Sequence, residues 1–245
     1  MIDLALILAA GTGSRLGKDI SVPHKALTPV GGTPVLLHTC RALEEAGIHQ
    51  VIVVTGYRGE TIRALLENSD WRFELTFAEN TQWQLANGLS VLAAKEQLTG
   101  NFLLMMADHL LDPGIISSLR QVSLGPQEVI LAVDRKLDTI YDMEDATKVK
   151  LVGERIVAIH KELADFNAVD TGLFSCSPAL MSALEAQTAK GNCSLSDGIR
   201  QVAEAGNLRY FDIGSAWWQD IDTLGALHHA EHLLRIHPSP AEGAR

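Results

Sequence analysis

A glycine-rich segment followed closely by basic residues is where this sequence first points to chemistry. It reads Leu-Ala-Ala-Gly-Thr-Gly-Ser-Arg-Leu-Gly over Leu8–Gly17, at the end of the apolar run Leu4–Ala10. Glycines let backbone N–H groups approach phosphate oxygens without a Cβ in the way. The guanidinium of Arg15 can bind a phosphate through two hydrogen bonds. The segment therefore predicts a phosphate-binding loop.

Two common phosphate-binding patterns do not fit this loop. The dinucleotide fingerprint GxGxxG would need its third glycine at Leu16. The Walker A pattern GxxxxGK, placed on Gly17 and Lys18, would need a glycine at Thr12 and Ser or Thr at Asp19. A dinucleotide-dependent oxidoreductase is therefore disfavoured, and a purely structural strand-to-helix turn remains the alternative for the loop taken alone.

Aspartates near the ends of predicted strands indicate a metal site. Asp108 follows the apolar run Phe102–Ala107, and ligands of open α/β sheets bind at the carboxyl ends of strands. Asp112 is the better N-cap for the next helix, which leaves Asp108 for another role. Asp220 and Asp222 would share one side of a strand, although Asp222 can also cap the last helix. The pattern therefore makes Asp108 a candidate Mg²⁺ ligand, and of the two later aspartates it favours Asp220 slightly, because Asp222 has the competing capping role.

Composition limits the kinds of protein that can carry these residues. The chain has 245 residues, 47% of them hydrophobic, which is enough for a sizeable core without a disulfide or metal. Its formal net charge of −10 argues against a nonspecific nucleic-acid partner. Three widely spaced cysteines without CxxC favour a reducing compartment. The apolar run at the N-terminus is far too short to span a bilayer, so we expect a cytoplasmic protein without a membrane segment.

Short apolar runs alternate with helical patterns and predict an α/β fold. Buried strands are expected at Leu4–Ala10, Val51–Thr55, Phe102–Ala107 and Val129–Asp134. Between and after them we expect a helix ending near Gly47, with Thr33 as N-cap and Pro34 at its first position, and helices at Gly59–Glu67, Leu85–Gln97 and Pro113–Val122. The second half predicts a hairpin around Gly153 (Thr147–Leu151 and Ile156–His160), strands Val169–Cys176 and Leu208–Ile213, and helices Pro178–Ala189, Ser194–Ala205 and Thr223–Ile236.

The loop also belongs to a longer pattern that resembles a known enzyme family. It continues into Pro-His-Lys-Ala-Leu at 23–27 and Gly-Gly-Thr-Pro at 31–34, as in nucleotidyltransferases that join a nucleoside triphosphate to a phosphorylated acceptor. Met-Ala-Asp-His at 106–109, Asp-Ala-Thr-Lys-Val at 145–149, Val-Asp-Thr-Gly-Leu-Phe at 169–174 and Trp-Gln-Asp-Ile-Asp-Thr at 218–223 follow in order. Over about residues 4–235 the chain looks like CTP:inositol-1-phosphate cytidylyltransferases and related phosphonate and phosphocholine cytidylyltransferases.

The resemblance implies a fold and a division of the chain. The fold is a Rossmann-like, GT-A-like α/β domain of the nucleotide-diphospho-sugar transferase kind. It has a mixed, mostly parallel sheet with helices on both faces and a small β-rich layer on the acceptor side. Residues 1–236 would form a single nucleotidyltransferase domain, with a nucleotide-binding half at about 1–135 and an acceptor-binding half at about 136–236. Residues 237–245 are expected to form a flexible tail.

Site roles follow from the resemblance together with the residue types. The catalytic residues would be Arg15, Lys25 and Asp108, with Mg²⁺ on Asp108, Asp220 and Asp222. Nucleotide contacts are expected from Leu8, Ala9, Ala10, Gly11, Thr12, Gly13, Ser14, Arg15, Lys25, Glu79, Asn87, Gly88, Ser90 and Ala107. Acceptor contacts are expected from His109, Lys148, Lys161, Asp170, Thr171 and Gly172. We interpret Gly88, within a helical pattern, as a point of close ligand approach.

The expected activity is a Mg²⁺-dependent cytidylyltransferase. It would transfer CMP from CTP to a small inositol-1-phosphate-like, phosphonate or phosphocholine acceptor and release pyrophosphate. A sugar-1-phosphate nucleotidyltransferase that uses another nucleoside triphosphate, and a non-catalytic nucleotide-binding regulator, remain alternatives. The expected partners are CTP and the acceptor, without nucleic acid, and a homodimer is compatible with the sequence.

Overall fold

The computed structural model describes residues 1–13, 22–189 and 191–237. The strands are β1 Leu4–Ala9, β2 Pro29–Val30, β3 Thr33–Pro34, β4 Gln50–Thr55, β5 Glu74–Glu79, β6 Phe102–Met106, β7 His109–Leu111, β8 Val129–Asp134, β9 Lys148–Val152, β10 Arg155–His160, β11 Ala168–Cys176, β12 Leu208–Asp212 and β13 Trp218–Asp220. The α-helices are α1 Val35–Glu45, α2 Gly59–Glu67, α3 Gly88–Ala93, α4 Pro113–Leu119, α5 Ala179–Thr188, α6 Leu195–Glu204 and α7 Leu224–Ile236. Short 3₁₀ helices cover Lys25–Leu27, Lys95–Gln97 and Leu137–Thr139.

One sheet runs through both halves of the chain. Within the described residues it has nine strands in the order β5-β4-β1-β6-β11-β8-β12-β10-β9. The first four strands in this order pair in parallel, as does β8 with β12, and β11 runs antiparallel between β6 and β8. The carboxyl ends of β1, β4, β5 and β6 therefore meet at one edge, which is where the loops that carry the predicted site begin.

The alternation of side chains along β1 explains why helices cover both faces of the sheet. Leu6 and Leu8 belong to a core cluster shared with helices α3, α5 and α6, whereas Ala5 and Ile7 belong to a second cluster with helices α1, α2 and α4. A strand buried on both faces must be apolar at every position, as this one is. The expected α/β class, with a mixed sheet covered on both faces, is confirmed. The expectation that the sheet is mostly parallel is wrong, because within the described residues four of its strand pairs are parallel and five are antiparallel.

Most predicted elements are confirmed, but the start of the first helix is wrong. Thr33 and Pro34 form a short strand opposite Pro29–Val30, and α1 begins at Val35 without a side-chain cap from Thr33 or Pro34. Gly31 and Gly32 both have positive φ, at 59° and 84°, which closes a two-residue hairpin. The Gly-Gly pair thus makes a turn between two strands just before the helix.

The helix predicted at Leu85–Gln97 is shorter than expected. It begins at Gly88, ends at Ala93 and is followed by the separate 3₁₀ turn Lys95–Gln97. The expected tail is described only as far as His237, so residues 238–245 lie outside the described structure. Across the described ranges, no helix is both long and apolar enough to cross a bilayer.

Glu128 connects elements of the second half at the start of β8. Its carboxylate accepts hydrogen bonds from Arg155 (2.9 Å) on β10, from Arg209 (3.1 Å) on β12 and from the Gly125 N–H (3.1 Å). Desolvation alone would raise the pKa of Glu128, but the hydrogen bonds from Gly125, Arg209 and Arg155 outweigh it and lower the pKa. Glu128 is therefore more acidic in the folded chain than in the unfolded chain.

We predict that Glu128→Gln lowers stability in a pH-dependent way. The stabilisation from a lowered pKa is fully present above the ordinary value of 4.5 and is lost as pH falls through the folded value. At pH 7 the variant should lose roughly 0.5–1 kcal/mol of unfolding free energy, as for other partly exposed ion pairs. Urea unfolding from pH 7 to pH 3 should show the two proteins converging in acid. Glu154→Gln, at an exposed turn, is the control, and a difference independent of pH would contradict the role of the Glu128 charge.

Candidate active site

The glycine-rich loop leaves the carboxyl end of β1 and packs against Lys25. Gly13 has a φ of +58°, and a Cβ there would lie 2.2 Å from the Cβ of Lys25, so this position requires glycine. A Cβ at Gly11, by contrast, would have no described atom within 4 Å. The side chains of Leu8, Ala9 and Ala10 are buried in the two cores, so only their backbone can reach a ligand. Thr12 is exposed, while Ser14 and Arg15 lie outside the described residues.

A buried charge cluster lies beside this loop. The ammonium of Lys25 donates to a carboxylate oxygen of Asp108 and pairs with Asp222. The other oxygen of Asp108 accepts a hydrogen bond from His109 Nδ1 at 2.8 Å. Desolvation would raise the pKa of Asp108, but the charges of Lys25 and His109 hold it well below its usual range. Asp108 is therefore an anion that orients one cation and one imidazole.

His109 is held from three sides. It pairs with Asp220 across the small β7–β13 ladder, and its ring stacks on that of Trp218 with centroids 6.1 Å apart. Gly172, with φ +76°, lets the ring approach, because a Cβ there would lie 2.7 Å from its Cδ2. Burial opposes charge on His109, but Asp108, followed by Asp220, raises its pKa. Gly172 thus acts through its lack of a side chain, which allows the His109 ring to lie close.

Three carboxylates converge where a divalent cation can be held. Oxygen atoms of Asp145, Asp220 and Asp222 lie within 4.8 Å of one another. Oxygen ligands of this kind suit Mg²⁺, so the donor set fits. The structure thus brings Asp220 and Asp222 together as predicted and adds Asp145, while Asp108 is engaged by Lys25 and His109. Metal binding by Asp108 remains a prediction.

The argument that preferred Asp220 to Asp222 as a Mg²⁺ ligand, namely that Asp222 can cap the last helix, is wrong. The N-cap of α7 is Thr223, whose hydroxyl accepts a hydrogen bond from the Ala226 N–H at 3.1 Å. Asp222 therefore does not cap this helix and instead faces Lys25. The companion argument is confirmed, because Asp112 caps α4 by accepting from the Gly114 N–H at 2.8 Å.

A cavity of about 190 Å³ lies beside His109, and several residues that were predicted to contact the acceptor line it. Lys161 lines it and pairs with Asp145 at 2.6 Å. Asp170 lines it as well and accepts from the Gly172 N–H at 2.7 Å, while burial raises the pKa of this carboxyl to about 6. We refer to this space as the acceptor cavity.

Two predicted acceptor residues are engaged elsewhere. Thr171 is fully buried, and its hydroxyl donates to the Ala132 carbonyl at 2.8 Å, so it stabilises the sheet instead of facing a ligand. The ammonium of Lys148 donates to the Glu144 carbonyl at 3.0 Å, and Lys148 is not among the residues that line the acceptor cavity. Thr171 follows Asp170, which lines the acceptor cavity. Because successive side chains of a strand point to opposite faces, Thr171 points away from the cavity.

The residues Asn87, Gly88 and Ser90, which were predicted to contact the nucleotide, interact with other parts of the chain. Asn87 lines the acceptor cavity and accepts from the Leu195 N–H at 2.9 Å. The close neighbour that requires glycine at Gly88 belongs to the chain itself, because a Cβ there would lie 2.5 Å from the Cys193 carbonyl oxygen, and nucleotide contact by Gly88 stays a prediction. Ser90 accepts from the side chain of Asn80 at 3.0 Å, and both are buried.

Glu79 and Ala107 remain close to the carboxyl edge of the sheet. Glu79 is exposed at the last position of β5. Ala107 is buried, and its N–H donates to the Leu8 carbonyl at 3.2 Å. This bond joins the end of β6 to the base of the glycine-rich loop.

Sequence reasoning missed an aromatic group beside the glycine-rich loop. His24 is buried, its Nδ1 accepts from the Ala26 N–H at 3.1 Å, and its Nε2 has no hydrogen-bond partner in the described part of the chain. Burial lowers the pKa of His24. Tyr57, whose N–H donates to the Ala10 carbonyl at 3.0 Å, lies between His24 and Trp83, with ring centroids 6.4 Å and 5.2 Å away. The sequence signal that could have indicated this aromatic group is the position of Tyr57 and Trp83 shortly after the ends of β4 and β5.

Comparison with known proteins identifies the family. A family model for the MobA-like NTP transferase domain matches residues 5–203. The chain belongs to the MobA-like NTP transferase family. This confirms the resemblance to nucleotidyltransferases that the sequence motifs indicated.

Relatives of this MobA-like chain include proteins with informative names. The bifunctional IPC transferase and DIPP synthase of Rubrobacter xylanophilus is 32% identical over 233 residues, which cover 94% of this chain and 51% of that protein. The CMP-5'-(3-aminopropyl)phosphonate synthase of Streptomyces rubellomurinus is 34% identical over 134 residues, covering 54% and 21% respectively. The structure of the inositol-1-phosphate CTP transferase from T. maritima matches with a TM-score of 0.81 and 25% identity, covering 96% of both chains. The chain spans about half the length of the first of these relatives.

We predict that alanine at the two loop glycines separates folding from ligand binding. Gly13→Ala forces a side chain into Lys25 at a positive φ, and should lower the melting temperature and weaken CTP binding. Gly11→Ala should leave the melting temperature unchanged and weaken only CTP binding, because its methyl group would meet no described atom within 4 Å and would lie where a phosphate contact is predicted. Thermal unfolding and calorimetric CTP titration measure both effects. Unchanged CTP affinity in Gly11→Ala would remove this residue from the nucleotide site.

Proposed function

We propose that this chain transfers CMP from CTP to a small phosphorylated or phosphonate acceptor and releases pyrophosphate. The observation that carries the proposal is the convergence of Lys25, Asp108 and Asp222 beside a glycine-rich loop at the carboxyl edge of the sheet. The family assignment supports nucleotidyl transfer. The names of an inositol-1-phosphate CTP transferase and a CMP-phosphonate synthase among similar proteins support cytidine as the nucleoside and a phosphoryl or phosphonyl acceptor.

In the proposed reaction, an acceptor oxygen attacks the α-phosphorus of CTP. A new P–O bond forms there, the bond to the bridging oxygen of the β-phosphate breaks, and pyrophosphate leaves with that electron pair. A phosphate monoester with a second pKa of about 6 is already ionised near pH 7, so the chain needs no general base. Catalysis then comes from positioning and from charge compensation.

Each group of residues has a part in this scheme. Backbone N–H groups of the loop and the ammonium of Lys25 hold the phosphates of CTP. Asp108 keeps Lys25 and His109 oriented through its two carboxylate oxygens. Lys161 and His109, which both line the acceptor cavity, direct the acceptor phosphoryl group. The acceptor cavity draws His109 and Asn87 from the half before about 135 and Lys161 and Asp170 from the half after it, so both halves contribute to acceptor binding in this scheme.

Asp145, Asp220 and Asp222 are the residues that would hold Mg²⁺. A bound Mg²⁺ ion would neutralise phosphate charge and stabilise the leaving pyrophosphate. The charge balance supports this assignment, because Asp108, Asp145, Asp220 and Asp222 outnumber the ammonium groups of Lys25 and Lys161 that pair with them, and a triphosphate adds further negative charge.

A product screen tests the proposed reaction. The chain is incubated with Mg²⁺, each of the four nucleoside triphosphates, and a panel of phosphates and phosphonates, and pyrophosphate and products are measured by mass. We expect a CMP-linked product with CTP. A product from another triphosphate with a sugar 1-phosphate would favour a sugar-1-phosphate nucleotidyltransferase. CTP binding without any product would favour a regulator, and the absence of any nucleotide binding would overturn the proposal.

We predict that Asp108→Asn lowers kcat by roughly 10²–10³-fold while the fold is kept, because the charge that orients Lys25 and His109 is lost at constant side-chain size. Lys25→Ala should abolish turnover. The matched control is Asp112→Asn, four residues along the chain, because asparagine is an equally good N-cap. Steady-state kinetics and thermal unfolding check these results. A near-normal kcat in Asp108→Asn would remove Asp108 from the mechanism.

A further inference from the structure

His24 is a buried residue that lies against the start of the glycine-rich loop and is 4% exposed. Burial lowers the pKa of its imidazole, and the backbone of Ala9 and Gly11 lies near enough to oppose this effect. The next residue, Lys25, packs against Gly13 of the same loop. Two consecutive side chains, one neutral and one charged, therefore meet the loop at two points.

The hydrogen bonding of the His24 ring fixes which nitrogen carries its proton. Nδ1 accepts a hydrogen bond from the Ala26 N–H at 3.1 Å, and an accepting ring nitrogen has no proton of its own. Because burial lowers the pKa of His24, the ring is neutral at pH 7 and its one proton lies on Nε2. A neutral donor suits this position, because Lys25 already places a buried ammonium beside it.

The Nε2–H group of His24 is a donor without an acceptor. It is buried and has no hydrogen-bond partner in the described part of the chain, although the backbone of Ala9 and Gly11 is near. A buried donor that lacks a partner is unfavourable and uncommon in folded proteins, so it calls for an explanation. A small movement of the loop would supply the missing acceptor.

The Gly11 carbonyl is the acceptor that the loop can bring to this donor. The Ala10 carbonyl already accepts from the Tyr57 N–H at 3.0 Å, and Ala9 is the last residue of β1. Gly11 is exposed, and a Cβ there would meet no described atom within 4 Å. Because glycine also has the widest choice of backbone angles, the peptide after Gly11 can turn.

The geometry of a planar trans peptide connects this acceptor to phosphate binding. The N–H and C=O groups of one peptide point in opposite directions, so a loop peptide that directs its N–H at a phosphate directs its carbonyl at the protein. The Thr12 N–H and the Gly11 carbonyl belong to one peptide. A carbonyl that turns toward the protein needs a donor there, and His24 offers one.

We propose that His24 is a positioning residue for the glycine-rich loop, whose Nε2–H donates to the Gly11 carbonyl when the Thr12 N–H binds a phosphate of the nucleotide. The inference rests on the proposed function and extends it to a side chain that does not touch the substrate. His24 stabilises the phosphate-binding form of the loop, while Lys25 supplies the charge. Its contribution is to nucleotide affinity.

Two substitutions separate the two hydrogen bonds of the His24 ring. In His24→Asn the amide oxygen can replace Nδ1 and accept from the Ala26 N–H, but no donor reaches the loop. We expect nucleotide binding to weaken roughly five- to tenfold, as for the loss of one hydrogen bond, and the melting temperature to be kept. In His24→Gln the longer amide can replace the Nε2–H, but the bond from Ala26 is lost. We expect the opposite pattern, with affinity kept and the melting temperature lowered.

The measurements are thermal unfolding and calorimetric titration with whichever of the four nucleoside triphosphates binds most tightly. His160→Asn is the matched control, because Nδ1 of His160 accepts from the Glu162 N–H at 3.0 Å in the same local arrangement, but at an exposed strand end. It should bind nucleotide as the unsubstituted chain does. In turnover, His24→Asn should raise the KM for the nucleotide and keep kcat within about twofold. Losses of affinity that follow the losses of melting temperature in both His24 variants would make the residue merely structural and overturn the inference.

The ring proton gives a test on the unsubstituted chain. In ¹⁵N-histidine NMR spectra at pH 7, with the His24 signals identified by their loss in His24→Asn, we expect the neutral tautomer with its proton on Nε2. Addition of the nucleotide without acceptor should slow the exchange of this proton with water, because it enters a hydrogen bond. A proton on Nδ1, or an exchange rate that the nucleotide leaves unchanged, would overturn the inference.

These experiments need no acceptor, so they separate the inference from the proposed reaction. If no acceptor gives a product but the two His24 variants show the opposite patterns, the positioning role stands and the cytidylyl transfer does not. If CMP-linked products form but His24→Asn binds CTP as the unsubstituted chain does, the reaction stands and the positioning role does not. A chain that binds none of the four triphosphates would overturn both.

Discussion

The burial of the Lys25 ammonium is the constraint on which the rest of the site depends. An ammonium removed from water costs several kcal/mol unless carboxylates compensate it. Asp108 and Asp222 supply that compensation from segments far apart in the sequence, one at the end of β6 and the other after β13. The loop must also leave room for the Lys25 side chain, which is why Gly13 has no Cβ. The side chain of Lys25 thus connects the glycine-rich loop at Gly13, the end of β6 at Asp108 and the segment after β13 at Asp222.

The same balance of charge shapes what the site can bind. Lys25 is shared by Asp108 and Asp222, Lys161 pairs with Asp145, and Asp220 adds a fourth carboxylate nearby, so four carboxylates face these two ammonium groups. A triphosphate that entered with these two ammonium groups as its cations would meet repulsion at short range. A divalent cation would relieve this repulsion and would also bind oxygens of the three clustered carboxylates. The proposed Mg²⁺ and the proposed CTP therefore depend on each other for binding.

The sequence was most informative where hydrophobic periodicity is long and least informative where pairing is short and distant. β1 is apolar throughout, β8 is apolar up to its last residue Asp134, and both lie in the sheet interior, so their residues alone indicate them. The three-residue β7 and β13 exist because they pair with each other across about half the chain, and no local pattern can indicate that. Motif spacing predicted Lys25, Asp108, Asp220 and Asp222 as parts of a site. Asp145 stands in one of the motifs of the resemblance but was given no role, and the tertiary fold places it beside Asp220 and Asp222.

Trp218 connects the acceptor cavity to the buried ion pair. Its ring stacks on His109, which donates to Asp108, while its indole N–H donates to Asp134 at the end of β8. Both Trp218 and His109 line the acceptor cavity. Because protein interiors are close-packed, an acceptor in this cavity would hold the Trp218 ring against His109 and keep Asp108 oriented toward Lys25. Acceptor recognition and the proposed catalytic ion pair would then be coupled through one side chain.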